Sequence, residues 1–148
     1  MKRVIIGVDP DVDKNGVAIY EKSTKDLQLL TLSFFQLLDY LSQNKEQIKE
    51  VVIEASWKHK KANFHENRRG VGVASQIGAR TGANHEVGRK IVEMCSYLSI
   101  PSKEVLPLRK RWSGPNGKIT HEEFRKLTGY IGSTNQEKRD AALLIWGY

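Results

Sequence analysis

The chain has a single cysteine, Cys95, so it can close no internal disulfide and cannot build a zinc site from paired thiolates. That suits a reducing compartment, and the expected localisation is cytoplasmic. Long apolar runs are also missing. The N-terminal MKRVIIGVDP has a positive start but too few apolar residues before Asp9 for a signal-peptide core or a membrane span. No Gly-x-x-x-x-Gly-Lys-Ser/Thr loop and no Gly-x-Ser-x-Gly elbow occurs, which removes support for P-loop nucleotide hydrolysis and serine-based acyl chemistry. The four histidines, His59, His65, His85 and His121, form no His-Glu-x-x-His, because Arg69 stands where the second histidine would be. There is no linker-like Pro, Gly or Ser stretch, no repeat and no low-complexity segment. A chain of 148 residues is therefore expected to form one domain, residues 1–148.

Acidic charge is in the minority. The formal net charge is +7, and two segments carry it. Residues 56–69 hold Lys58, Lys60, Lys61, Arg68 and Arg69 against Glu66, and residues 103–126 hold seven Lys or Arg against three Glu. Clustering of this kind attracts phosphate backbones, although solvated surface charge gives the same composition.

The element pattern is mixed. Residues 3–8 are apolar and β-branched without alternation, as in a strand buried on both faces. A turn at Asp9-Pro10-Asp11-Val12-Asp13-Lys14-Asn15-Gly16 leads to a second strand at 17–20, and residues 27–32 suggest a third. Ser33 is placed to cap a helix through about Gln43 with Phe34, Leu37, Leu38 and Leu41 at helical spacing. Val51-Val52-Ile53-Glu54-Ala55 reads as a further buried strand, returning parallel to the first. Periodicity is lost from 56 to about 82, which reads as a mobile basic loop. Helical spacing returns over 83–99, with Cys95 in its apolar stripe. That stripe is also the expected dimer surface, with the protein's own sheet as the alternative. A short strand near Val105-Leu106 and helices at 121–127 and 136–148 complete an α/β fold: a mixed five-stranded sheet, three antiparallel strands then two parallel, flanked by helices.

Asp9 and Glu54 each end a buried strand and are the only charges in their apolar pentads. Carboxyl ends of adjacent parallel strands form a common ligand site. Two carboxylates there require a cation or a raised pKa, and a hard divalent metal satisfies both; strand ends that simply face water are the alternative. In the last helix Glu137, Asp140, Ala141, Leu144 and Ile145 share one stripe, putting two acids at its N-terminal end. Glu137 also fits a capping box begun by Thr134, and Asp140 could pair with Lys138 or Arg139. A calcium loop starting at Asp9 fails, because Lys14 replaces the required Gly and Tyr20 the required Glu.

Ile6-Gly7-Val8-Asp9-Pro10 followed by Asn15-Gly16-Val17-Ala18-Ile19 resembles the first motif of the RuvC-type Holliday-junction resolvases, which are RNase H-like nucleases. Val52-Ile53-Glu54 resembles their second motif, and Glu137-Lys138-Arg139-Asp140-Ala141-Ala142 their final helix. The order and spacing run across nearly the whole chain. Asp11 departs from the family's usual Gly, and Glu137 from its usual Asp. The resemblance implies an RNase H-like nuclease domain, a two-metal Mg²⁺ site (Mn²⁺ substituting) on Asp9, Glu54, Asp140 and Glu137, and a homodimer that cuts branched DNA. Asp11 and Asp13 are expected to be turn residues with a possible outer metal contact. Lys58, Lys60, Lys61, Arg68, Arg69, Arg109, Lys110 and Arg111 are expected to track phosphates, and Trp57 or Phe64 to stack on a base or else to pack beneath the loop. Nucleases of RNA or RNA–DNA hybrids, and a binding module with little catalysis, are the rival readings.

Overall fold

The computed structural model describes residues 2–58 and 71–147, with 71–74 described as backbone only. Strands β1 (Val4–Asp9), β2 (Asn15–Glu21) and β3 (Asp26–Leu32) follow one another; helix α1 (Phe34–Asn44), strand β4 (Ile48–Glu54), helix α2 (Val71–Tyr97) and strand β5 (Ser102–Val105) come next, and helices α3 (His121–Thr128) and α4 (Gln136–Ile145) finish the order. The sheet runs β3-β2-β1-β4-β5. The first three strands pair antiparallel, and β4 and β5 join parallel to β1 and to each other, as the sequence pattern predicts.

The continuous apolar character of β1 follows from cores on both of its faces. Ile6 and Val8 pack with Leu37, Leu41 and Ile91 on the α1 and α2 side. Ile5 packs with Phe124, Ala141 and Ile145 on the α3 and α4 side. Ser33 caps α1 as expected, with the Gln36 side chain returning a bond to the cap backbone. The fully buried Asn15 accepts from the Asp11 N–H at 2.9 Å and donates to the Leu32 carbonyl at 3.2 Å, tying the first turn to β3.

Two expectations change. The expected loop at 56–82 is helical from Val71 onward, after a short 3-10 turn at Ser56–Lys58; residues 59–70 lie outside the described residues. Residues 75–80 are exposed, and no described residue packs near Gly78 or Gly82. An apolar stripe marks a helix only where one face is buried, so this half of α2 carries no such signal, and its glycines argue against a helix. The stripe that does show, through Ile91, Met94 and Cys95, is spent on the chain's own core rather than on a dimer surface.

Candidate active site

Asp9 and Glu54 close adjacent parallel strands whose register pairs Val8 with Ile53, so the two carboxylates leave the sheet side by side. Asp140 comes from α4, which packs on β1 and β2. Its approach depends on two glycines: a Cβ at Gly7 would overlap the Ala141 carbonyl, and one at Gly16 would overlap the Glu137 backbone. Without those side chains the helix lies directly on β1 and β2. Asp9, Glu54 and Asp140 thereby line one cleft of about 700 Å³. Lys110, Trp112 and Lys118 line it too, and Thr81, Asn84 and His85 of α2 contribute another part of its wall.

The electrostatics are those of crowded, dehydrated acids. Burial, followed by the charges of Glu54 and Asp140, pushes the Asp9 carboxyl up to about 8, against the pull of Lys118. Glu54 is raised by burial and then by Asp140, opposed by Lys118 and Lys110. Burial works against the charge on Lys118, but its hydrogen bond to Asp140 and the surrounding carboxylates outweigh that and leave its pKa raised. Both oxygens of Asp140 are held: Oδ2 accepts from Lys118 Nζ at 2.9 Å, and Oδ1 from Gln136 Nε2 at 2.8 Å. Gln136 is itself braced by Arg139, whose guanidinium also donates to the Ile119 carbonyl and to Thr134. The expected partners Lys138 and Arg139 are therefore not those that Asp140 takes.

The acids fit a hard divalent ion by donor chemistry, since two strand-end carboxylates are forced together where ionisation is penalised. Their present arrangement is not a finished cage. Among the described residues no three His, Cys, Asp or Glu side chains converge closely enough to hold a metal. Lys118 engages the third carboxylate instead.

Other expected site residues scatter. Glu137 is exposed and does not line the cleft, although its charge reaches Asp9. Nor is it part of a capping box: Asn135, not Thr134, caps α4 by accepting from the Lys138 N–H at 2.9 Å, which puts Glu137 at the second helical position. Thr134 instead meets His121 and Arg139. Lys58 is paired with Glu104 at 2.7 Å. Trp57 packs, but against α2 rather than beneath the expected loop: a Cβ on Gly88 would overlap its ring, and the Arg89 guanidinium lies 5.8 Å from its centroid. Arg109 joins Lys110 in the cleft wall, whereas Arg111 is exposed with its guanidinium 5.5 Å from the Trp112 ring. Lys60, Lys61, Phe64, Arg68 and Arg69 lie outside the described residues.

Sequence reasoning missed Lys118, Gln136 and the α2 wall. Lys118 was visible only as one charge in a basic segment, and nothing local ties it to an acid 22 positions away.

No family model matches the chain, and no curated protein matches it in sequence. Among solved structures it is similar to T. thermophilus RuvC in complex with a Holliday junction substrate, with a TM-score of 0.52 at 17% identity, covering 96% of this chain and 90% of that one. YeaZ from Pseudomonas aeruginosa is more distant, with a TM-score of 0.40 at 10% identity over 74% of this chain and 46% of that one. The likeness to RuvC over almost the full chain, together with the β3-β2-β1-β4-β5 order, gives this protein the RNase H-like α/β fold.

Proposed function

We propose that the chain is a divalent-metal-dependent endonuclease that hydrolyses phosphodiester bonds in branched DNA such as Holliday junctions. The observation that carries this is the juxtaposition of Asp9 and Glu54 at parallel strand ends, in a cleft that also holds Asp140 and is otherwise lined by the cations Arg109, Lys110 and Lys118. Acids that repel one another suit a cation, and cations at the rim suit a polyanion.

Asp9, Glu54 and Asp140 would hold Mg²⁺ or Mn²⁺, with Glu137 at the periphery. Bound there, the metal supplies Lewis-acid activation of water and neutralises charge on the leaving oxygen. The chain's own residues align the phosphate: Lys110 and Arg109 draw the backbone in, and Lys118 exchanges Asp140 for a phosphate oxygen. A single 1–148 domain that pairs with a second copy to cut two strands, in the cytoplasm, completes the reading. No helix among the described residues is long and apolar enough to cross a membrane.

Wild type and Asp9→Asn are to be compared on four-way DNA junctions with Mg²⁺, alongside RNA and RNA–DNA hybrid substrates. Cutting by wild type alone, on junctions, supports the reading. Equal cutting by both overturns the metal assignment, and preference for a hybrid overturns the DNA assignment. The Lys118–Asp140 ion pair favours a second reading, a nucleic-acid-binding module that does not cut. Mg²⁺-independent junction binding without product would establish it.

A further inference from the structure

Asp11 and Asp13 have no part in the cleft, yet the turn they occupy follows directly on Asp9. Its backbone is closed from within, since the Asp13 N–H donates to Asp11 Oδ1 at 2.8 Å and the Asp11 N–H to Asn15 Oδ1 at 2.9 Å. It is also fastened to α2 at two points. Arg80 Nη2 lies 2.9 Å from Asp13 Oδ2 and 3.3 Å from Asp11 Oδ1, and the Val12 N–H donates to Asn84 Oδ1 at 2.8 Å. Arg80 and Asn84 stand one helical turn apart and so share a face.

That fastening has a geometric use. Thr81, Asn84 and His85 line the same cleft as the acids, yet residues 75–80 just before them are exposed and no described residue packs near Gly78 or Gly82. Core packing holds α2 farther along, through Ile91, Met94 and Cys95. The bonds from Arg80 and Asn84 therefore hold this exposed stretch of the helix to the turn that follows Asp9. Exposed ion pairs add little to global stability, so the effect of this one lies in position.

We infer that Arg80 and Asn84 are positioning residues that fix the α2 wall of the cleft against Asp9, and thereby align a bound phosphodiester with the acidic centre. The catalytic part of this inference rests on the nuclease reading above. Asp11 and Asp13, in place of a flexible glycine turn, serve as the anchor for Arg80.

The test compares wild type with Arg80→Ala, Arg80→Lys and Asn84→Ala in two assays, junction cleavage under steady state and amide hydrogen exchange across α2 and the 10–14 turn. Misplacement by about 1 Å can cost up to about 100-fold in rate, so Arg80→Ala and Asn84→Ala are expected to lower kcat by about 10-fold or more with KM nearly unchanged. Exchange over 75–84 should quicken, and Arg80→Lys should recover most of the rate. A raised KM with unchanged kcat would make Arg80 a substrate contact and overturn the inference, as would wild-type kinetics in Arg80→Ala. A wild type that cuts nothing sinks the nuclease reading instead. The clamp is then decided by exchange alone, where unchanged protection over 75–84 in Arg80→Ala overturns it and faster exchange supports it.

Discussion

Lys118 Nζ lies 2.9 Å from Asp140 Oδ2, so a lysine serves as counter-ion to one of three acids that the fold drives together. Its charge also opposes part of the rise in the Asp9 and Glu54 pKa values. Lys118 thus offsets part of the acidic charge, and on the proposed reading a divalent ion would have to compete with it for Asp140.

Replacing Lys118 with Met is expected to lower the Tm of the metal-free protein by several degrees, because removing one partner of a half-buried pair leaves the other charge uncompensated. The Mg²⁺-induced rise in Tm should be larger than in wild type. Calorimetry in EDTA and in Mg²⁺ checks both. An unchanged metal-free Tm would mean that Lys118 does not neutralise the site.

The raised Asp9 pKa sets a pH dependence with a definite sign. Folded, metal-free protein keeps this proton up to about pH 8, whereas the unfolded chain releases it near the ordinary carboxylate value of about 4. Between those limits the folded state binds more protons, so this group's contribution to stability falls as pH rises. Urea midpoints of metal-free wild type should decline over that window more steeply than those of Asp9→Asn. Mg²⁺, which favours the ionised form, should stabilise more at pH 8 than at pH 5. Parallel pH profiles for the two proteins would contradict the electrostatic picture.

Gly16 gives a test of how Asp140 is delivered. A methyl group there meets the Glu137 backbone, which cannot swing aside as a flexible side chain could. Gly16→Ala should destabilise by about 1–3 kcal/mol, the usual range for overpacking, and should reduce Mg²⁺ binding more than Gly82→Ala, where no described residue would meet the added methyl. Denaturant titration and metal calorimetry provide the two readings; equal metal binding by both variants would show that α4 does not depend on this close approach.

Trp57 separates packing from base stacking. Its ring lies beneath α2, so Trp57→Ala should lower stability while leaving the affinity of the remaining folded protein for junction DNA within about twofold. A large affinity loss at unchanged Tm would restore the stacking role, which is worth about 1–3 kcal/mol per base where it operates.

Much of the core and the site's centre was legible because the signals there are local. Burial on both faces wrote an unbroken apolar run into β1, and the single acid ending each of two such runs marked Asp9 and Glu54. The stripe of α4 placed Asp140 by the same logic. What escaped depends on long-range partners or on absent burial. The exposed 75–80 stretch of α2 buries too little against the described residues to acquire a stripe, and Lys118 meets Asp140 only through the fold. Glu137 was ambiguous because one position decides which residue caps the helix, and Asn135 rather than Thr134 takes that place. Trp57 was ambiguous because an aromatic beside basic residues has the same local sequence whether it packs inward or stacks on a base.

The central claim, that Asp9, Glu54 and Asp140 jointly hold a divalent ion, is tested most directly by crystals soaked in Mn²⁺ and measured for anomalous scattering. The account predicts a peak coordinated by Asp9 and Glu54, with Asp140 turned from Lys118 to the metal. An empty cleft at saturating Mn²⁺, with Lys118 still paired to Asp140, would contradict it.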